Sequence, residues 1–286
     1  MVSGSRGSPT FVAVAAVVGI TACGLPEKTI GPEARHVVVH AVLDLGAKDS
    51  WVRLSYSDRP QDNYNDSAFR QAIVTITTPE GIVMTGRRDS VYESYSKQYY
   101  AIPGFRVTPA DYGITLKGGA TYSLSIHTQA GEVVTGVTTV PSATPVALSR
   151  GDLFHWRTDT LRLRWTPVNG AAAYFLSIDG VEEYDIDATH RDTSYRSRYS
   201  RFAFGPIDLP GTAKDQFDGS DIFGPDYYSP SGFDVAAVVA AVDTNYYQYY
   251  RRPGDPFAPA LPSHLTGGLG VFGSIVPIYA KRFTVR

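Results

Sequence analysis

Three acids recur every third residue in "DQFDGSD": Asp215, Asp218 and Asp221, beside Gly219. Closely spaced loop carboxylates suit calcium, which takes six to eight oxygens. The spacing is not that of an EF-hand, and no bidentate Glu follows, so the same residues also read as solvated loop acids. His36 and His40 share a face of a strand. At ~3.3 Å per residue they lie about 13 Å apart, too far to ligate one zinc at ~2 Å each. His190 and Asp192 form a single pair, short of a metal's ligand set. Gly268 to Gly273, "GLGVFG", spells G-x-G-x-x-G. A dinucleotide site needs a strand before it, a helix after it and an acid about 20 residues on. Here a Pro-rich loop precedes, a strand pattern with Pro277 follows, and no acid remains. Nucleotide binding is therefore not expected. The glycines fit close backbone approach instead. G-x-S-x-G and H-E-x-x-H are both missing. A glycosidase needs only two carboxylates at a set distance, and acids are plentiful between Glu182 and Asp226. A carbohydrate-active hydrolase using loop carboxylates is therefore the alternative to a non-catalytic protein.

Cys23 is the one cysteine in 286 residues. It follows ten apolar or small residues, Phe11 to Ile20, in a segment whose charged residue is Arg6. Such a helix is roughly 15 Å long, half a bilayer's hydrocarbon core, and describes a signal peptide over residues 1–22. "ITAC" resembles the lipobox of bacterial lipoproteins, in which the cysteine becomes the first mature residue and carries lipid. Acylation would also explain an unpaired thiol in an exported chain. Gly24 stands where an Asp would resemble an inner-membrane retention signal. The expected address is the outer membrane, with the body held by lipid at Cys23. Residues 23–32 would form a tether with two prolines.

Tyr195, Arg198, Tyr199, Phe223, Tyr227 and Tyr228 fall in a polar, turn-rich segment. Aromatic faces with polar tips either pack loops against a core or form a partner surface.

The formal net charge of −2 gives no footprint for nucleic acid. With 19 Tyr, 27 Gly and 19 Pro, the composition points to an all-β chain. "HVVVHAVLDL" alternates, with Val37, Val39, Ala41 and Leu43 on one face. "WVRLSYS" puts Val52, Leu54 and Tyr56 inward. Hairpins are expected to turn at Pro79-Glu80-Gly81 and Gln129-Ala130-Gly131. The second should bury Tyr122, Leu124 and Ile126, and return through Val133, Thr135 and Val137. These strands predict a β-sandwich over residues 33–141. After Pro141 and Pro145, Leu161, Leu163 and Trp165 alternate with arginines. A turn at Asn169-Gly170 then leads to Tyr174, Leu176 and Ile178. This resembles an immunoglobulin or fibronectin type III domain and predicts a second sandwich over 142–286, with Trp165 buried beside Tyr174. Residues 181–232 lack sustained periodicity and are expected to form a long loop insertion of hairpins and loops decorating the second sandwich. "FDVAAVVAAVD" predicts a strand buried on both faces. "TNYYQYYRR" predicts one short helix before the C-terminal strand, capped near Asp243 and Thr244. Phe272 is expected to plug the core.

The order of lipobox, "TYSLSI" hairpin, strand, Tyr-rich helix, and Gly267, Gly268, Gly270 and Phe272 resembles a bacterial lipoprotein family called domain of unknown function 4249. Ser263 and His264 replace the Asn often found before those glycines. The resemblance implies a cell-envelope lipoprotein, often encoded beside TonB-dependent outer-membrane receptors. It implies no catalytic residues and no cofactor. The expected function is a non-catalytic binding or accessory module, not an enzyme, in nutrient uptake with such a receptor. A structural or adhesive surface module is a further alternative.

Overall fold

The computed structural model describes residues 35–57, 66–95, 98–185, 191–215, 219–224, 233–251 and 263–286. Cys23 and the tether lie outside them. Residues 35–286 belong to one compact unit. No described helix is long and apolar enough to cross a membrane.

Among the described residues the chain is mostly strand, with one α-helix. In its first half run β1 (Val37–Asp44), β2 (Ser50–Tyr56), β3 (Ile73–Thr77), β4 (Val83–Thr85), β5 (Arg87–Tyr95), β6 (Gln98–Val107), β7 (Thr121–His127) and β8 (Val133–Thr139). The second half holds β9 (Ser149–Arg150), β10 (Thr160–Leu163), β11 (Ala173–Asp185), β12 (Arg191–Ala203), β13 (Ile207–Pro210) and β14 (Phe233–Val242). Helix α1 (Thr244–Tyr250), β15 (Leu265–Thr266) and β16 (Leu269–Val285) complete it. The long sheet has the order β12-β11-β14-β16-β1-β2-β6-β5, with β9 also on β16. A five-stranded sheet, β15-β8-β7-β3-β4, and a two-stranded one, β10-β13, lie apart from it.

The smaller sheets cover the same face of the long one. Val39, Ala41 and Leu43 join Val74, Leu124 and Val134 in a first core. Leu176, Ile178, Val235 and Val239 join Leu161, Leu163 and Leu209 in a second. Burial of alternate residues is the physical reason for the period-2 patterns. Strand β16 serves both cores, through Phe272 and Val276 in the first and Phe283 and Val285 in the second. Its inward residues change from even to odd numbers, and a bulge makes this possible. Val239 pairs with Tyr279 but Ala240 with Pro277, so Ile278 is skipped and the apolar face is kept.

The expected boundary at 141/142 therefore falls between two cores but not between two sheets. Strand β16 joins the halves, parallel to β1 on one side and antiparallel to β14 on the other. Two other expectations are corrected. The return arm of the second hairpin buries Val134, Gly136 and Thr138, while Val133 and Val137 are about half exposed, at 47% and 53%. Gly136 stands opposite Leu124 and leaves room for larger neighbours: a Cβ there would lie 2.5 Å from Leu265 and 3.4 Å from Phe272. The 181–232 segment contributes the end of β11 and all of β12, which pair as a long hairpin with 13 residues in each strand. Trp165 lies 5.1 Å from Tyr174, ring to ring, but is only half-buried, because β10 ends at Leu163.

Candidate functional site

Residues that alternate with the core, His40 on β1, Gly273 on β16 and Phe175 on β11, mark the opposite face of the long sheet. Helix α1 lies on this face. It starts where β14 leaves β16, and that departure would expose an edge. β14 pairs with β16 only from Ile275 onward. Just before that point, the residues leading into α1 take over the pairing. Asp243 N donates to Ser274 O at 3.1 Å, and Ser274 N donates to Asp243 Oδ1 at 3.0 Å. Asn245 Nδ2 donates to Phe272 O at 2.9 Å and to Val137 O at 2.8 Å. Edge groups that would otherwise be free are thus closed by side chains.

The Asp243 carboxylate also caps the helix, accepting Tyr246 N–H at 2.9 Å and the Thr138 hydroxyl at 2.6 Å. Burial raises its pKa, against the pull of these hydrogen bonds. Asp243→Ala would leave the buried Ser274 N–H unpaired, leave the Thr138 hydroxyl with only its longer bond to Ser274 Oγ at 3.2 Å, and remove the cap. A loss of roughly 2–4 kcal/mol is expected in urea denaturation. A loss below ~1 kcal/mol would show that the helix does not depend on this node.

The helix sits directly on the strand, for a Cβ on Gly273 would lie 2.9 Å from Tyr246 Cβ. Around it aromatic rings form a continuous band. Phe204 meets Tyr247 at 5.8 Å, and Tyr247 meets Phe202 at 5.1 Å. Tyr246 contacts both Phe202 and Phe175, at 6.4 and 6.1 Å. Tyr250 follows at 4.5 Å, with Tyr249 at 4.9 Å from it and His40 at 5.7 Å. Most contacts are edge-to-face, the favoured arrangement for ring quadrupoles. The helix tyrosines are all half-buried, and Phe204 is 70% exposed. Tyr249, which helical spacing points outward, still reaches His40 at 6.4 Å. His40 lies under these tyrosines. Burial first, and Arg53 second, lower its pKa.

Burial, with Asp44 adding to it, raises Tyr246 to about 12. The folded state then holds this proton between pH 10 and 12 while the unfolded state releases it. Stability is full below pH 10 and falls as pH rises toward 12, by up to ~2.7 kcal/mol for this one group. Tyr246→Phe should lose correspondingly less stability between pH 9 and 12 in urea melts. Equal slopes for variant and wild type would refute this.

The residues singled out from sequence are dispersed. Tyr199 and Phe223 are buried, at 4% and 1% exposure, and belong to the second core, so they offer no partner surface. Tyr199 alternates in phase with Leu176 and Ile178 across β11 and β12, which turns its ring inward. Arg198 falls at a bulge, donates to Ile222 O and Gly224 O, and lies over the Phe233 ring. The Tyr195 side chain, Tyr227, Tyr228 and Asp218 fall outside the description. Asp215 is held by backbone bonds, its N–H donating to Ser220 O and its carbonyl accepting Gly219 N–H, and Asp221 forms a backbone β-bridge with Lys214. Among the described residues, no three His, Cys, Asp or Glu converge on a metal position. The G-x-G-x-x-G run starts in the bend just before β16 and continues into it, and Gly268 and Gly270 press against Val37 O and Val39 O. The band itself was signalled by "YYQYY" and by aromatic residues at outward positions of β11 and β12. Only the cross-strand pairing of Phe175 with Phe202 brings the two signals together.

Comparison with curated proteins finds no match. A family model described as Domain of unknown function (DUF4249) matches residues 26–276. The match covers most of the chain, including the first core, most of the second, α1 and the glycine run at the start of β16, and the chain belongs to the DUF4249 family.

Proposed function

We propose that the chain is the body of a cell-envelope lipoprotein, anchored through Cys23 to the outer membrane, acting as a non-catalytic binding or accessory module. Its candidate partner is a TonB-dependent outer-membrane receptor, in nutrient uptake. The aromatic band carries this reading. Seven rings from β1, β11, the end of β12 and α1 present hydroxyl tips and ring edges beside an exposed Phe204. Tyrosine-rich, partly exposed surfaces of this kind anchor protein contacts. The family match begins at residue 26, just behind Cys23. The accompanying fold reading is two sandwich-like lobes of the immunoglobulin or fibronectin type III kind, supported by the two separate cores.

The test uses the intact lipoprotein purified with its partners from detergent-solubilised envelopes. Wild type should retain a receptor. A Phe204→Ser, Tyr247→Ser double variant that melts normally should lose it. Retention by that variant would exclude the band as the contact. In the same cells, Cys23→Ala should lose incorporation of a fatty-acid label, and equal labelling would exclude the anchor.

A further inference from the structure

At the end of the first core farthest in kind from the aromatic band lies a groove of about 510 Å³. Its walls are the turn after β1, the segment before β7 and the connection between the two halves. Leu45, Ile114, Leu116 and Ala143 form its floor and are only partly buried, and Pro109 and Pro145 flank them. Proline contributes no N–H, so these flanks add few polar groups. Size and lining fit a small-molecule site, for which ~300–1,000 Å³ and a mostly apolar wall are usual.

The walls are fixed before any ligand arrives. Gly119 N donates to Val140 O at 2.9 Å, Lys117 N to the Tyr122 hydroxyl at 2.8 Å, and Val146 N to Pro277 O at 2.9 Å. Gly118 approaches Ala143 so closely that a Cβ there would lie 2.3 Å from Ala143 O. A preformed groove spares a ligand the cost of ordering its site.

Two lysines, Lys48 and Lys117, stand on the lining. Lys117 Nζ is paired with Glu80 at 2.8 Å. Lys48 is exposed and has no ion-pair partner among the described residues. The neighbouring acids are engaged, since Asp44 accepts Gly46 N–H and Asp49 accepts the Thr108 hydroxyl. One uncommitted positive charge thus stands over an apolar floor. A doubly charged phosphate would need a second free cation, and a neutral hydrocarbon would leave Lys48 unused. We propose that the groove binds an aliphatic carboxylate, with its chain on the Leu45–Leu116 floor and its head at Lys48.

The probe is decanoate, titrated calorimetrically into the purified chain beside decan-1-ol. Saturable one-site binding of decanoate is expected, about fivefold or more tighter than the alcohol. Lys48→Glu, at an exposed position, should weaken decanoate by at least about fivefold and leave the alcohol unchanged. Ala47→Trp, which fills the mouth, should abolish both. Melting temperatures establish that each variant is folded. The proposal is overturned if decanoate fails to saturate, if acid and alcohol bind equally, or if Lys48→Glu binds decanoate as wild type does. It is equally overturned if only an apolar peptide ending in a carboxylate binds the groove.

Discussion

Phe272→Ala is expected to destabilise the protein by about 3–5 kcal/mol, the usual range for removing a buried aromatic ring. Phe272 is fully buried and lies beside Gly136, whose missing Cβ makes room for it. The neighbours cannot collapse into the vacancy, because β16 is held on one side by β1 and on the other by Asp243 and Asn245. Both cores share the strand, so the loss should appear as one cooperative transition in guanidinium and not as separate melting of one half. Equilibrium unfolding followed by tryptophan fluorescence and far-UV circular dichroism reads this directly. A loss under ~1 kcal/mol, or two separated transitions, would contradict it.

Gly270→Ala should be more damaging still. Gly270 has φ +109°, and a Cβ would lie 2.0 Å from Val39 O. That atom is backbone in the facing strand, so β1 and β16 would have to separate. Backbone strain alone costs about 1–3 kcal/mol, and the clash adds to it. A total beyond ~4 kcal/mol is expected, in the range where a single substitution prevents accumulation of folded protein. Gly81→Ala is the control. Gly81 has φ +83° but nothing within 4 Å of a Cβ, so only the backbone term applies. If the two variants melt alike, close packing between β1 and β16 is not what requires the glycine.

Sequence patterning reached those features whose signal is local. The alternation of β1, the turns at Gly81 and Gly131, the helix behind Asp243 and the burial of Phe272 all follow from neighbouring residues. The phase of β8 did not, because its inward residues are Val134, Gly136 and Thr138. Two of these carry no apolar signal, while outward Val133 and Val137 carry a strong one. Hairpins were expected after residue 181, but the length and register of β11 and β12 were not legible, for a related reason. The distal part of this hairpin, from Glu182 on, is rich in acids, arginines and serines, with no apolar alternation to show a strand. The parallel pairing of β1 with β16 has no local signature at all. It joins strands at opposite ends of the described chain and fuses two cores into one sheet. Asp243 was legible as a helix cap but not as a substitute for a missing strand, which depends on where β14 stops.

The position of β16 also has a consequence for timing. Val38 pairs with Leu269, so the centre of the long sheet closes over a separation of roughly 230 residues. Every other strand precedes β16 in the chain, yet β16 lies in the middle of the sheet. Until it is delivered, β1 and β14 are both unpaired along the edges it will occupy, and neither core is complete. A chain emerging N-terminus first from the ribosome would therefore keep the long sheet open until β16 had followed, and would close it in a late step.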